Sequence, residues 1–161
     1  MDPLESKQTP TAVDYFAPDG SEIRLLPKMT GGGLCHVTLP AKGISKAVKH
    51  KTVEEIWYFL QGQGQVWRKL GDDESVGDVG PGVAVTIPTG AHFQFQNLGN
   101  DPLCFLCVTM PPWPGKQEAK TVKNHWPIRV RRQQNSKNLK RVIDKTSKRL
   151  IRPHIQLASK A

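Results

Sequence analysis

The chain has 161 residues, of which 37% are hydrophobic and 23% are charged. This balance supports a packed core and argues against a chain that is disordered throughout. No apolar run approaches the roughly 20 residues that a membrane-spanning helix needs, and residues 1–17 lack the apolar stretch of a secretory signal. We therefore expect a cytoplasmic protein with no transmembrane segment.

The formal net charge of +9 is unevenly distributed along the chain. Residues 129–161 contain eleven Lys and Arg residues and a single acid, whereas residues 1–128 contain twelve basic and thirteen acidic residues. The basic character therefore belongs to the C-terminal segment and says nothing about what the rest of the chain binds.

Short apolar or alternating runs, separated by turn residues, follow a polar and flexible N-terminus predicted over residues 1–14. Residues 71–82 are interpreted as a polar loop or a pair of short turns. Strands are predicted at residues 23–26, 34–39, 55–60, 65–70, 83–87, 92–96 and 103–109. Their regular spacing indicates an all-β sandwich or small barrel.

The prolines of residues 111–115 end the sheet region, because proline cannot donate to a strand ladder. The organisation predicted is a barrel over residues 15–115, a connecting segment over 116–128 and a basic C-terminal extension over 129–161. Trp113 is expected to pack across one end of the barrel. Apolar residues at helical spacing within 137–151 predict a short helix in the extension.

The three cysteines are Cys35, Cys104 and Cys107. Cys104 and Cys107 have the spacing of a metal-binding or redox pair, but they lie in an apolar strand with no second pair and no neighbouring histidines. We interpret them as buried, reduced thiols.

Two stretches contain residues of chemical interest, 43–64 and 82–99. In the first, four residues separate His50 from Glu55 and six separate Glu55 from Gly62; the second contains Pro88 and Gly90 followed by Asn97. These spacings resemble the two conserved motifs of the cupin superfamily over about two-thirds of the chain. The resemblance implies an all-β double-stranded β-helix, or jelly-roll barrel, and pairing into homodimers.

The resemblance also implies a divalent first-row metal held by three histidines and one glutamate inside the barrel. Here the first histidine position is Val48, and the position in the second motif is Phe93. His92 lies one residue early, so strand alternation points it away from the interior unless a bulge near Gly90 turns it back. The candidate metal ligands are therefore His50 and Glu55, with His92 conditional.

Strand alternation also predicts the walls of an interior pocket. If Glu55 points inward, Trp57 does too, and if Phe93 points inward, Phe95 follows. The predicted pocket residues are Val48, Trp57, Phe93 and Phe95, while Gln94 and Gln96 would face outward as solvated or interface residues. His50 and Glu55 would form a buried charge-assisted pair, in which an inward carboxyl group with a raised pKa serves as a catalytic acid or base.

Three functions follow from these features. The first is a small-molecule-binding barrel with an aromatic pocket and a degenerate metal site. The second is a divalent-metal-dependent cupin enzyme, a dioxygenase, isomerase or lyase. The third is binding through residues 129–161 to nucleic acid, to an anionic surface or to an acidic protein partner.

Overall fold

The computed structural model describes residues 4–128, so the predicted helix and the rest of the basic extension lie outside the described residues. This part of the chain contains no helix long and apolar enough to cross a bilayer. It is built from these strands: β1 (Tyr15–Phe16), β2 (Glu22–Met29), β3 (Gly32–Leu39), β4 (Val48–His50), β5 (Glu54–Gln61), β6 (Gly64–Leu70), β7 (Asp73–Val79), β8 (Ala84–Ile87), β9 (His92–Asn97), β10 (Leu103–Met110) and β11 (Ala119–Thr121).

The strands form two antiparallel sheets that pack face to face as a jelly roll. One sheet has the order β1-β2-β3-β10-β5-β8 and the other β11-β4-β9-β6-β7. The core draws side chains from the inner faces of both sheets. Strand β5 shows the reason most clearly, because its residues alternate between buried and exposed from Glu54 to Leu60, as a strand with one face on a core requires.

The predicted strands are all present, but the prediction of a loop over 71–82 is wrong. Residues Asp73–Val79 form β7, an edge strand that pairs along its whole length with β6. Most of its side chains are exposed and polar, so no apolar alternation marks it in the sequence. Its strand conformation comes from backbone pairing across the turn at Gly71, whose φ is +61°.

Residues outside the predicted barrel limits also pack onto it. Strand β11 pairs with β4, and Asn124 Oδ1 then accepts a hydrogen bond from the backbone N–H of Ala47 at 2.9 Å. At the other end, the carboxylate of Asp14 accepts from the backbone N–H of Leu25, and Thr11 O accepts from Arg24. The folded unit therefore extends beyond both ends of the predicted range, residues 15–115.

The inner face of the six-stranded sheet tapers from bulky to small residues. Strands β3 and β10 pair in antiparallel register, so the inward residues of each strand meet in rows. From one end of the barrel to the other these rows are Leu39–Leu103, Val37–Phe105, Cys35–Cys107 and Gly33–Thr109. The combined side-chain volume of each row falls in this direction, which leaves space at the Gly33–Thr109 end.

The bulky end is filled by aromatic rings. Trp57 stacks on Phe105 with ring centroids 4.5 Å apart, and Phe95 meets the same tryptophan edge-on at 5.3 Å. Phe59 packs against Phe105 at 4.8 Å. These offset and edge-on contacts are the favourable geometries for aromatic pairs, and they close this end of the barrel.

Candidate functional site

A cavity of about 530 Å³ occupies the end of the barrel where the inner side chains are small. Val48, Trp57 and Phe93 are among the residues that line it. Phe95 does not line it, which corrects its predicted role. Phe95 lies one inward position deeper on β9 than Phe93, with no exposed surface, and the Trp57 ring packs against it.

His50 and Glu55 meet at the inner end of this cavity. His50 is the last residue of β4 and Glu55 the second of β5, and they are only 4% and 7% exposed. His50 Nδ1 lies 3.8 Å from Glu55 Oε1. The imidazole is held edge-on by Phe93 at 5.0 Å and by Trp113 at 5.1 Å, so Trp113 packs at this end of the barrel.

The Glu55 carboxyl group is enclosed by the barrel wall. Trp57 Nε1 donates a hydrogen bond to Glu55 Oε2 at 2.8 Å. Burial raises the pKa of Glu55 to about 7, because the Trp57 hydrogen bond and the neighbouring Cys107 thiol only partly offset the loss of water around the charged form. Near neutral pH the group is therefore present both as acid and as carboxylate.

His50 is neutral at the same pH. Burial lowers its pKa to about 4, against an opposing attraction from Glu118. At 3.8 Å the ring nitrogen is beyond hydrogen-bond distance of Glu55, so the predicted charge-assisted pair is not formed. His50 Nδ1 is buried and has no hydrogen-bond partner among the described residues. A buried polar atom of this kind is costly to leave unmatched.

His92 lies away from this pair. As the first residue of β9 it is opposite Lys49 and Lys69 on the neighbouring strands, partly exposed and outside the cavity wall. The turn before β9 thus leaves the alternation of this strand unchanged, and Phe93 takes the inward position.

The donor set does not fit the metal that the resemblance implies. Only His50 and Glu55 of the predicted ligands are brought together, and the ring nitrogen and carboxyl oxygen face each other across 3.8 Å. Within residues 4–128 no group of three or more His, Cys, Asp or Glu side chains is arranged to hold a metal ion. Two ligands alone make a weak site, so these residues do not support metal-dependent chemistry.

Glu118 is a site-supporting residue that the sequence patterns do not reveal. It is 5% exposed, and its carboxylate accepts hydrogen bonds from Val53 N at 2.8 Å and from Thr52 Oγ1 at 3.0 Å. Burial acts to raise the pKa of Glu118, but the hydrogen bonds from Thr52 and Val53 outweigh this effect and lower the pKa. Glu118 thereby fixes the turn that joins His50 to β5. No local pattern could show this, because more than sixty residues separate the partners.

Gln94 corrects a second expectation, because it faces outward but is not solvated. Its side chain is fully buried under residues 125 and 126, whose backbone N–H groups both donate to Gln94 Oε1 at 2.8 Å. Gln94 Nε2 donates to Ser45 O at 2.7 Å and to Trp126 O at 2.9 Å. The amide therefore holds the chain after β11 against the outside of β9.

The three cysteines are free thiols, as predicted, and they lie on two faces of one sheet. Cys104 is buried on the outer face, where its sulfur lies 3.8 Å from Thr38 Oγ1. Cys107 points inward, and with Cys35 it lines the cavity. The strand alternation between residues 104 and 107 separates the two thiols that the sequence spacing places together.

Comparison with known proteins supports the fold seen here. A family profile described as a cupin domain matches residues 35–109. An uncharacterized protein of Methanocaldococcus jannaschii is 35% identical over 104 residues, which is 62% of this chain and 80% of that protein. The chain belongs to the cupin superfamily.

Solved structures resemble this cupin in fold. Lactobacillus farciminis oxalate decarboxylase, in a formate complex, superposes with a TM-score of 0.57 at 21% identity, over 63% of this chain and 31% of that one. A Bacillus halodurans protein superposes with a TM-score of 0.53 at 19% identity, over 62% of this chain and 76% of that one. The cupin thus spans less than a third of the decarboxylase chain, and at these identities the likeness concerns the fold alone.

Proposed function

We propose that this cupin binds a small organic molecule in its barrel, with the polar end of the ligand between His50 and Glu55. The observation that carries the proposal is His50 Nδ1, which is buried, unpartnered among the described residues, on the cavity wall and 3.8 Å from Glu55 Oε1. A ligand group that hydrogen-bonds to this nitrogen removes the cost of burying it unmatched.

The hydrogen-bonding groups favour a hydroxyl at this point. A hydroxyl both donates and accepts, so it can pair with a neutral imidazole and with the acid form of Glu55 at once. Around these groups the walls are apolar and aromatic, as in most small-molecule sites, with Trp57, Phe93 and Phe105 contributing rings. The inner part of the cavity therefore suits a hydroxyl carried on an apolar or aromatic body.

The outer part of the cavity favours a negative charge on the ligand. Its lining includes the exposed lysines Lys7, Lys28 and Lys116, against one exposed acid, Glu5. Solvated lysines attract an anion only weakly, so they contribute more to selectivity among ligands than to affinity. The ligand class that matches the whole cavity is an aromatic or apolar hydroxy acid.

Glu55 also supports a second function, proton transfer to or from the bound ligand. A carboxyl group with a pKa of about 7 is present in both forms at neutral pH, the condition under which acid–base exchange is efficient. In this reaction class Glu55 would move the proton and His50 would orient the ligand group.

Ligand binding is tested by thermal shift with hydroxyphenyl carboxylic acids, each compared with its methyl ether and its amide. A hydroxy acid at a hundred times its Kd stabilises the native state by about 2.7 kcal/mol, and the ether and amide bind more weakly. The variants His50→Ala and Glu55→Gln lose the shift. The matched controls His92→Ala and Glu54→Gln keep it, because both side chains lie outside the cavity. Equal losses in His92→Ala and His50→Ala, or no preference for the hydroxyl, contradict the proposal.

Pairing into a homodimer is also proposed, through the outer face of the six-stranded sheet. Ile56, Tyr58 and Leu60 are each more than 40% exposed there, and Tyr58 and Ile56 lie opposite Leu106 and Val108 of β10. A contiguous apolar patch of this kind is typical of an interface. Light scattering tests it, with Tyr58→Glu expected to give a monomer and Val76→Glu, on the other sheet, expected to leave the dimer. Cytoplasmic location and binding through residues 129–161 stay predictions.

A further inference from the structure

Cys35 and Cys107 form a dithiol inside the cavity that the proposed ligand site does not use. They are directly opposite each other on β3 and β10, and the facing Cys35 thiol is the first cause of a raised pKa at Cys107. Both line the cavity, on the row next to Gly33 and Thr109. Two thiols on directly opposed residues of one cavity wall are candidates for a disulfide.

The sheet already sets the separation that a disulfide requires. Directly opposed residues of antiparallel strands have Cα atoms about 4.5 or about 5.5 Å apart, according to their place in the ladder. Disulfides span Cα separations of about 4.4 to 6.8 Å. Either ladder position therefore gives Cys35 and Cys107 a Cα separation within the range of a disulfide.

The two thiols differ in access and in surroundings. Cys35 is partly exposed on the cavity side, whereas Cys107 is 4% exposed. A small oxidant entering the cavity thus meets Cys35 first. The facing Cys35 thiol, burial and the Glu55 carboxyl group all raise the pKa of the Cys107 thiol, so Cys107 needs a base to take its proton when it attacks, and the Glu55 carboxylate is the acceptor beside it.

We propose that Cys35 and Cys107 are a redox site that a hydroperoxide converts to an intramolecular disulfide and that small thiols reduce again. In the first step the Cys35 sulfur attacks the O–O bond, giving Cys35 sulfenic acid and releasing an alcohol, or water when the oxidant is hydrogen peroxide. In the second step the Cys107 sulfur attacks the Cys35 sulfur. The S–S bond forms, the S–O bond breaks, and the Cys107 proton passes to the leaving hydroxide by way of Glu55, giving water.

Oxidation changes the polar end of the cavity. The disulfide has no S–H group, so Glu55 loses the neighbouring Cys107 thiol, which acts to lower the Glu55 pKa. Reduction by two small thiols restores both S–H groups and releases the small disulfide. The redox state of this pair therefore sets how many donors surround Glu55, whatever molecule the cavity binds.

The test uses the reduced full-length protein with a small excess of hydrogen peroxide, followed by alkylation and peptide mapping. We expect a cross-linked peptide pair containing Cys35 and Cys107, a mass loss of two hydrogen atoms, and one alkylated cysteine, Cys104, of the three. Dithiothreitol reverses the change. A disulfide to Cys104, a disulfide between two chains, or oxidation that stops at separate sulfinic acids overturns the proposal.

Variants separate the redox site from the fold. Cys104→Ser is the matched control on the same strand, and it keeps the cross-link because that thiol faces the other side of the sheet. Cys35→Ser abolishes the cross-link while circular dichroism shows the sheets intact. Glu55→Gln slows closure of the disulfide at least about tenfold but leaves the first step unchanged, as trapping of the sulfenic acid with dimedone shows. An unchanged closure rate overturns the role given to Glu55.

Discussion

The two ends of the barrel interior are built by the same strands and yet differ in what they contain. At one end Leu39 and Leu103 pair within the same buried cluster as the rings of Phe59 and Phe95. At the other end Gly33 meets Thr109, and the space above them is part of a cavity of about 530 Å³. The β3–β10 ladder is continuous between the ends, so along these two strands the difference lies in side-chain size.

The closed end therefore stabilises the fold, whereas the open end provides the space and the polar groups of the candidate site. The closed end buries large apolar surfaces in close contact. The open end contains buried groups that are costly by themselves, a neutral imidazole without a partner and a carboxyl group with a pKa of about 7. A cupin barrel can hold such groups only because the rest of its interior is packed.

The largest expected effect comes from emptying the closed end. Phe95→Ala removes a side chain with no exposed surface from the aromatic cluster and should destabilise the protein by about 3–5 kcal/mol. Its neighbour Gln96 lies on the outer face of the same strand, so Gln96→Ala is the control and should cost less than about 1 kcal/mol. Urea denaturation measures both. Similar losses would mean that the closed end does not dominate stability.

An intermediate effect, dependent on pH, comes from Glu55. Its pKa rises from 4.5 in the unfolded chain to about 7 in the folded one, so the unfolded state loses its proton first and stability falls as pH rises between these values. Glu55→Gln removes this cost. The variant should gain nothing below pH 4.5 and about 3 kcal/mol above pH 7.

The free energy of unfolding must be compared between variant and parent, because the contribution of His50 to stability changes with pH in the opposite direction. Because the pKa of His50 is lowered from 6.5 to about 4, its contribution to the stability of the protein falls as the pH falls through this range. The two contributions therefore partly cancel in the parent protein. Urea denaturation from pH 4 to 8 on Glu55→Gln and on the exposed neighbour variant Glu54→Gln separates them. A gain that is independent of pH would contradict the buried state of Glu55.

The smallest effect on stability comes from filling the open end. Cys35→Leu adds volume where the cavity has room, so stability should stay within about 1.5 kcal/mol of the parent. Binding of the hydroxy acids should nevertheless be lost, as thermal shift or calorimetry shows. Cys104→Leu, on the outer face, is the control that keeps binding. Retained binding in Cys35→Leu would place the ligand elsewhere.

Strand prediction from the sequence worked where one face of the strand is apolar. Strand β5 alternates clearly, and its buried positions Glu55, Trp57 and Phe59 follow from that pattern. Strand β7 is exposed and polar, and β4 and β11 are three residues long, so their own side chains contain too little information. Their conformation depends on pairing with strands distant in the sequence.

The sequence by itself determined an all-β sandwich or barrel, and its resemblance to the cupin motifs implied the jelly roll, the inward direction of Glu55 and the replacement of two ligand positions by Val48 and Phe93. Strand alternation and motif spacing are local features of the chain, so they can be recognised without the tertiary structure. Only the tertiary structure decided that His50 Nδ1 lacks a partner, that Glu118 fixes the turn beside it, and that Cys35 meets Cys107. Each of these depends on the register between strands that are far apart in the chain, and register is set by packing of the whole barrel.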